Sequence, residues 1–527
     1  MVEQEKAHRA KPSRGAAVAA LVRRFARSKR GGLSLTMGLA MLPISFMAMG
    51  ATDFARGTMV KSSLQDALDA ATLTVGKSTA TSPAAIQSMG QTMLAANLKS
   101  YPDTHLVSST FTLDSNGKIT SGATASMTPM VADVFGASAL SVTASSEVVR
   151  GVNKLEIAMV LDNTGSMAGS KLSLLKTAAA DFVDTLSQAA ARSSDPTVVK
   201  IGLVPFSMTV NVGSTYKTAA WMDQNAASPI NDQLFASHAN RFTLFQQMGV
   251  NWAGCVESRQ QPYDVQETAP TTATPATLFT PFFAPDEPGS TSTQTWNGMT
   301  WYNSYLNDVT TSTSWSVRQG YLAKYNTTTF VKTGTNTSTN YTYGPNAGCS
   351  LQPLVRLTTD WTGLKSGITG MNAVGDTNIP MGLEWGWHLL SPNTPFADGA
   401  AYGTPKLTKV VVLMTDGQNQ NTSNSNSNAS YYSGDGYIWQ NRLGISSGTN
   451  SQRQTALDSR LTLLCTNMKA QNIVLYMVRV DVQDTNYGVL KGCATTPDKF
   501  YDVQDATQLD SVFNAIAGAI QNLRISH

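Results

Sequence analysis

The sequence predicts an α/β protein, a doubly wound and mostly parallel sheet with a large insertion, preceded by a transmembrane helix and a small α+β stalk. Three observations predict it. From Leu155 onward, nearly continuous apolar runs alternate with stretches of helical periodicity, the grammar of buried parallel strands joined by helices. Between about residues 211 and 351 that alternation stops, and the chain becomes rich in Thr, Ser and Asn. Ahead of both lies an uncharged run, Gly31 to Thr52.

The bulk numbers bound the answer. A chain of 527 residues is too long for one core. Charged residues make up only 14 % of it and hydrophobic ones 42 %, which suits a globular protein with a polar, uncharged surface. The net charge of +3 hides an asymmetry. Residues 1–30 hold nine Lys/Arg and two acids, leaving 29 basic against 33 acidic residues in the rest. No folded part is strongly basic, so nucleic acid is not an expected partner.

The elements follow in order. Residues 1–30 read as a basic cytoplasmic tail. Residues 31–52 read as a transmembrane helix, because 22 uncharged residues exceed the ~20 needed to cross a bilayer. Pro43 is a tolerable kink. Lys and Arg on the N-terminal flank favour a cytoplasmic N-terminus. A cleaved signal peptide is the alternative, although its apolar run is usually only ~7–15 residues long.

Residues 53–150 read as a helical extension followed by a stalk. Val60, Leu64, Ala67, Leu68, Ala71 and Val75 fall near helical spacing. Asp114-Ser115-Asn116-Gly117 between alternating segments signals a hairpin. A further strand is expected from Ser141 to Val149.

Residues 151–527 form the α/β domain. Strands are expected at 155–161, 198–206, 353–357, 407–415, 473–480 and 500–503. Helices are expected at 170–192, 361–371, 379–390, 454–469 and 506–523. The insertion, about 211–351, holds Trp221, Trp252, Trp296, Trp301 and Trp315. Disordered segments lack aromatics, so it reads as ordered. The polar stretch Gln418 to Ser451 reads as a mobile loop. Both segments leave the carboxyl side of the sheet, which predicts a rim around any ligand there. The tryptophans are either exposed contact residues on that rim or the insertion's own small core.

Four cysteines fit an oxidising compartment. Three pairings are possible. Cys255 and Cys349 share the irregular region, and Cys465 and Cys493 share a regular one. This favours Cys255–Cys349 and Cys465–Cys493.

In open α/β sheets ligands bind beyond the carboxyl ends of the strands. Three loops stand there: Asp162-Asn163-Thr164-Gly165-Ser166-Met167, Gly375-Asp376-Thr377-Asn378-Ile379-Pro380, and Thr415-Asp416-Gly417. They offer carboxylates and hydroxyls, the oxygen ligands that hard divalent cations take. Each loop has a plainer reading. Asp-Xaa-Thr-Gly can be a turn and helix cap. Thr377 can be a cap, and Asp416-Gly417 an ordinary strand-end turn. Phosphoryl-transfer aspartate enzymes also place an Asp after a buried strand, but they want a second Asp where Thr164 stands.

Together the three loops resemble the metal-ion-dependent adhesion site of von Willebrand factor A domains, which are Rossmann-like α/β folds. The family pattern is Asp-Xaa-Ser-Xaa-Ser, then a Thr, then an Asp. The resemblance implies Asp162, Thr164, Ser166, Thr377 and Asp416 as metal ligands, some acting through water. It implies a divalent ion, magnesium first, with manganese or calcium as alternatives. Thr164 departs from the first Ser but keeps the hydroxyl. Asp376 replaces the usual Gly and adds a negative charge beside the site.

The N-terminal segment has a resemblance of its own. Arg-Arg-Phe-Ala-Arg-Ser-Lys-Arg-Gly-Gly, the apolar span and Lys61-Ser62-Ser63-Leu64-Gln65-Asp66-Ala67-Leu68-Asp69-Ala70-Ala71 are similar to TadG-like proteins of the Tad (Flp-type) pilus assembly system. This implies a single-pass protein of the bacterial inner membrane with its main domain periplasmic or exported. The implied partner is a protein, a pilus component or a surface ligand offering a carboxylate. The loops offer no His, no Cys nucleophile and no division into acid and base, so an enzyme is not expected. His388 beside Trp387 reads as packing. A structural spacer whose metal stabilises the fold, or a metal-dependent hydrolase, are the competing readings.

Overall fold

The structure is a computed structural model. It describes residues 23–24, 32–78, 80, 82–102, 104–114, 117–129, 139–149, 153–191, 193, 195–235, 238–288, 303–310, 312–335, 341–424, 426–482 and 487–525. The expected basic tail lies outside them, apart from Arg23 and Arg24. The chain divides into two compact units, Met1–Arg150 and Gly151–His527, and each is described by itself.

The first unit is organised by one helix, α1 (Gly32–Lys77), with Pro43 inside it. Its first part exposes Met37, Leu39, Met41, Leu42, Ile44, Phe46 and Met47. It is long and apolar enough to cross a membrane. Its second part buries Leu64, Leu68, Ala71 and Val75, a stripe at helical spacing. The stripe packs on α2 (Pro83–Leu98) and on a sheet of β1 (His105–Leu113), β2 (Lys118–Met127) and β3 (Leu140–Val149). The strands run antiparallel in the order β1-β2-β3. Ser115 and Asn116 of the expected hairpin turn lie outside the described residues.

The sequence reading did not separate α2, although its start is marked. Pro83 opens the helix and the Ser82 hydroxyl accepts from the Ala85 N–H (3.2 Å), a standard cap. Gly90 lets α2 approach the sheet, since a Cβ there would sit 2.3 Å from the Phe111 ring.

The second unit is built on β4 (Lys154–Asp162), β5 (Val199–Phe206), β6 (Val210–Asn211), β7 (Cys255–Val256), β8 (Val355–Thr358), β9 (Leu407–Thr415), β10 (Val474–Val480) and β11 (Phe500–Val503). The order is β11-β10-β9-β4-β5-β6-β7, with β8 paired to β5. From β11 to β5 every pairing is parallel. The pairings of β6, β7 and β8 are antiparallel. The segment expected at 353–357 is therefore a short antiparallel addition and not a member of the parallel run.

Helices cover both faces: α3 (Ser170–Ala191), α4 (Trp361–Gly370), α5 (Ile379–Leu390), α6 (Asn450–Ala470) and α7 (Leu509–Ile525). Successive residues of β4 enter opposite cores. Leu155, Ile157, Met159 and Leu161 pack with Phe182 of α3, Leu364 of α4 and Phe513 of α7. Ala158 and Val160 pack with Leu383 of α5 and Leu464 of α6. Burial on both faces is why these strands read as unbroken apolar runs.

The insertion extends the second core. Trp221 and Phe279 contact the Trp385 ring of α5, at centroid separations of 6.0 and 4.7 Å. Trp221 and Trp252 are buried, so they are core residues and not rim contacts. Trp315 is half-buried against Trp439. Trp296 and Trp301 lie outside the described residues.

The expected mobile loop at 418–451 is a correction. It is packed into the insertion through polar contacts. The Asn428 amide donates to Gln319 Oε1 (2.8 Å), the Tyr437 hydroxyl to Glu287 (3.0 Å), and Arg442 to Glu257 (2.6 Å). All six residues are buried. Low apolar content suggested solvent exposure, but here the segment is held by buried hydrogen bonds, which satisfy polar groups as burial requires.

Both favoured disulfides form, Cys255–Cys349 across 94 residues and Cys465–Cys493 across 28. Closing loops of these lengths constrains the unfolded chain by roughly 4–5 and 3–4 kcal/mol respectively. Replacing both cysteines of the first pair by Ser should therefore lower stability more than replacing both of the second. Denaturant titration of the two double variants checks the order.

Candidate metal centre

The parallel register brings the first and third loops together, whereas the second, expected at a strand end, instead links α4 to α5 and is joined to the first by backbone hydrogen bonds. Leu161 of β4 faces Met414 of β9, and Asp162 faces Phe206 of β5. The strand-end residues Asp162, Thr415 and Asp416 are thereby neighbours. Backbone hydrogen bonds then lace the loops. Asn163 N donates to Phe206 O (2.7 Å), Val374 N to Asn163 O (2.8 Å), and Gly165 N to Gly375 O (2.9 Å). Gly375 has a φ of +78°, a conformation glycine adopts without steric cost. A Cβ there would also meet Met208 and Ser207 at 3.3–3.4 Å.

Four of the five expected ligands form one hydrogen-bonded chain. Asp162 Oδ1 accepts from the Thr164 N–H (2.8 Å). The hydroxyls of Thr164 and Ser166 are 2.9 Å apart. Ser166 Oγ donates to Asp416 Oδ1 (2.7 Å). Asp162, Thr164 and the Asp416 side chain are buried, whereas Ser166 is exposed. Thr377 stands beside this chain. It is buried, and its hydroxyl lies 3.9 Å from where a Cβ of Gly417 would be.

Two participants lie outside the expected ligand set. The Thr415 hydroxyl donates to Asp162 Oδ2 (2.7 Å). The register of β4 against β9 would have placed it, had the pairing been known. Lys171, in the first turn of α3, donates to Asp416 Oδ2 (3.0 Å) and lies 3.1 Å from Asp481. Only its position nine residues after Asp162 hinted at this. Asp376 turns to the neighbouring segment, where Asp376 Oδ2 accepts from Thr422 N (3.1 Å). Asn378 caps α5 by accepting from Met381 N (3.1 Å) and donates to Asp435 (2.6 Å). Gln420 N donates to Thr377 O (2.7 Å), so the 418–451 segment borders the site.

The electrostatics follow from burial. Burial raises the Asp162 carboxyl, and the nearby Asp416 charge raises it further, to about 6, against the hydrogen bonds from Thr415 and Thr164. Burial pulls the Lys171 ammonium down, but its hydrogen bonds with Asp416 and Asp481 outweigh that and leave it raised. Two close, buried carboxylates thus create a demand for positive charge. The donor set is two carboxylates and three hydroxyls, with no thiol or imidazole. That chemistry suits a hard divalent cation held partly through water. Among the described residues no group of three or more His, Cys, Asp or Glu could hold a metal, so a carboxylate-rich or imidazole-rich alternative is not offered.

His388 is fully buried, edge-on to Phe279 and Trp385. Burial holds it well below its ordinary value, so it is a neutral packing residue.

No family model matches the chain, and no curated protein matches it. Solved structures do. The vWF domain of the type V pili tip protein Mfa5 from Porphyromonas gingivalis is 10% identical, with 71% of this chain and 97% of that one covered and a TM-score of 0.32. The pilus adhesin SpaC from Lactobacillus rhamnosus GG is 11% identical, with 79% and 34% covered and a TM-score of 0.31. The pilus adhesin RrgA from Streptococcus pneumoniae is 10% identical, with 79% and 50% covered and a TM-score of 0.33. The chain thus spans about a third of SpaC and half of RrgA.

The Asp162 carboxyl has a folded-state value above its unfolded one. Its contribution is therefore most favourable below pH 4 and is lost as the pH rises through about 6. In chelator, wild type should lose stability relative to D162N between pH 4 and pH 7, by about 2 kcal/mol. Denaturant titrations at the two pH values measure it.

Proposed function

We propose that this chain is a membrane-anchored, cation-dependent protein-binding component of a bacterial Tad/Flp-type pilus system, with a von Willebrand factor A-type domain. Asp162, Thr164, Ser166, Thr377 and Asp416 hold one divalent cation, magnesium first. A cation held this way supplies a Lewis-acidic position to which a partner's carboxylate can bind. The observation that carries the reading is the convergence of two strand-end loops and the α4–α5 loop around the nearby carboxylates of Asp162 and Asp416, with the Ser166 residue exposed.

The protein's own groups prepare the site. Thr415 and the Thr164 N–H hold the Asp162 oxygens in place, and Ser166 does the same for Asp416. Preorganised ligands cost less to order when the ion arrives. The site is read as one that binds and does not turn over a substrate, because its loops bring no imidazole and no thiol nucleophile to it. The N-terminal helix anchors the chain in the inner membrane with its N-terminus in the cytoplasm. Two disulfides fit an oxidising compartment for the rest.

Asp162→Ala should abolish cation-dependent capture of the partner and reduce piliation and surface attachment at normal protein level. Unchanged piliation and attachment would sink the proposal. If chelation lowers the melting temperature but leaves partner capture intact, the cation is only a structural support.

A further inference from the structure

The Lys171 ammonium has no part in the ligand set above, yet it sits on one of its members. It donates to Asp416 Oδ2 at 3.0 Å, while Asp416 Oδ1 is engaged by Ser166. It is also 3.1 Å from Asp481 Oδ2. The three groups come from three elements. Lys171 is in the first turn of α3, Asp416 follows β9, and Asp481 follows β10. The Asp416 side chain is fully buried, and Lys171 and Asp481 are 26% and 40% exposed. One end of the arrangement is therefore fixed and the other faces water.

The backbone is shaped to hold Asp481 there. Asp481 has a φ of +54°, a conformation that Asp and Asn tolerate better than other side chains do. Its N–H donates to Val503 O on β11 (2.8 Å). The carboxylate is thus presented to Lys171 by a turn that leaves the parallel sheet.

We propose that Lys171 is a built-in cationic competitor at Asp416, and that Asp481 is the seat to which it withdraws when a divalent ion arrives. The inference rests on the cation reading of the site. A lysine ammonium is a compact point charge on a flexible stem. With the site free it offsets the charge on Asp416. With a divalent ion present the two cations repel, and Lys171 keeps a partner by moving onto Asp481 alone. Affinity for the ion is lowered by the competition and restored in part by Asp481. The pair makes the site a moderate binder whose occupancy responds to ion concentration.

The test uses the full-length chain in detergent, with Mn2+ as the probe. Binding is read from loss of the free-ion electron paramagnetic resonance signal, at one fixed pH. K171M keeps the stem and removes the charge, and it should tighten Mn2+ binding by about tenfold. K171R keeps the charge and should stay near wild type. D481N keeps a side chain suited to positive φ, and it should weaken binding in the wild-type background more than in K171M. Binding that weakens or stays the same in K171M overturns the inference, because Lys171 would then be a clamp that positions Asp416. An equal effect of D481N in both backgrounds overturns the role of Asp481. If neither wild type nor K171M takes up Mn2+, the cation reading falls and this inference with it. If wild type binds, D162A does not, and K171M binds no tighter, only the inference fails.

Discussion

Two carboxylates from neighbouring strand ends are kept close together in a buried place, and much of the second unit is arranged around that unfavourable contact. Asp162 and Asp416 repel each other, and burial adds to the cost of ionising Asp162. The structure answers with donors: the Thr415 hydroxyl, the Thr164 N–H, the Ser166 hydroxyl and the Lys171 ammonium. Each donor depends on a different element being in register. Thr415 requires the β4–β9 pairing, and Thr164 the turn after β4. Lys171 requires the start of α3. The site is therefore a property of the assembled sheet and not of any one loop.

The insertion and the 418–451 segment meet a related constraint with buried ion pairs. Glu257 is held by Arg241, Arg442 and Tyr432, and Asp286 by Lys324. All are buried. Removing one member of such a pair is costly because it strands a charge. This supports a geometric role, in which the polar segment has one way to pack against the insertion. The same segment reaches the second loop of the site through Thr422 and Gln420.

Much of this was legible in the sequence, for identifiable reasons. Doubly buried strands write themselves as unbroken apolar runs, so β4, β9 and β10 were readable to within a residue or two. The expected ligands are named through the resemblance carried by three short motifs, of which the Asp162 and Asp416 motifs lie at strand ends and the Thr377 motif lies between α4 and α5. The participants outside that set are those whose role depends on pairing between distant segments. Thr415 is unremarkable until β4 and β9 are placed side by side, and Asp481 until β9 and β10 are. The 418–451 segment was misread because a polar sequence does not reveal whether its partners are water or other buried polar groups. Helix α2 is not separated in the sequence reading, although Ile86, Met89, Leu94 and Leu98 keep helical spacing and Ser82 and Pro83 mark its start.

The Cys255–Cys349 bridge has a mechanical meaning. It joins the two ends of most of the insertion, near where β7 enters and the chain returns toward β8. If tension were applied along the backbone, the load would cross the sulfur–sulfur bond and bypass the residues between the cysteines, whose sequence separation is 94. Those residues represent roughly 300 Å of extensible chain at full stretch. With the bridge intact none of that length can be drawn out. The bridged part of the insertion would carry no load while other parts of the unit are pulled apart.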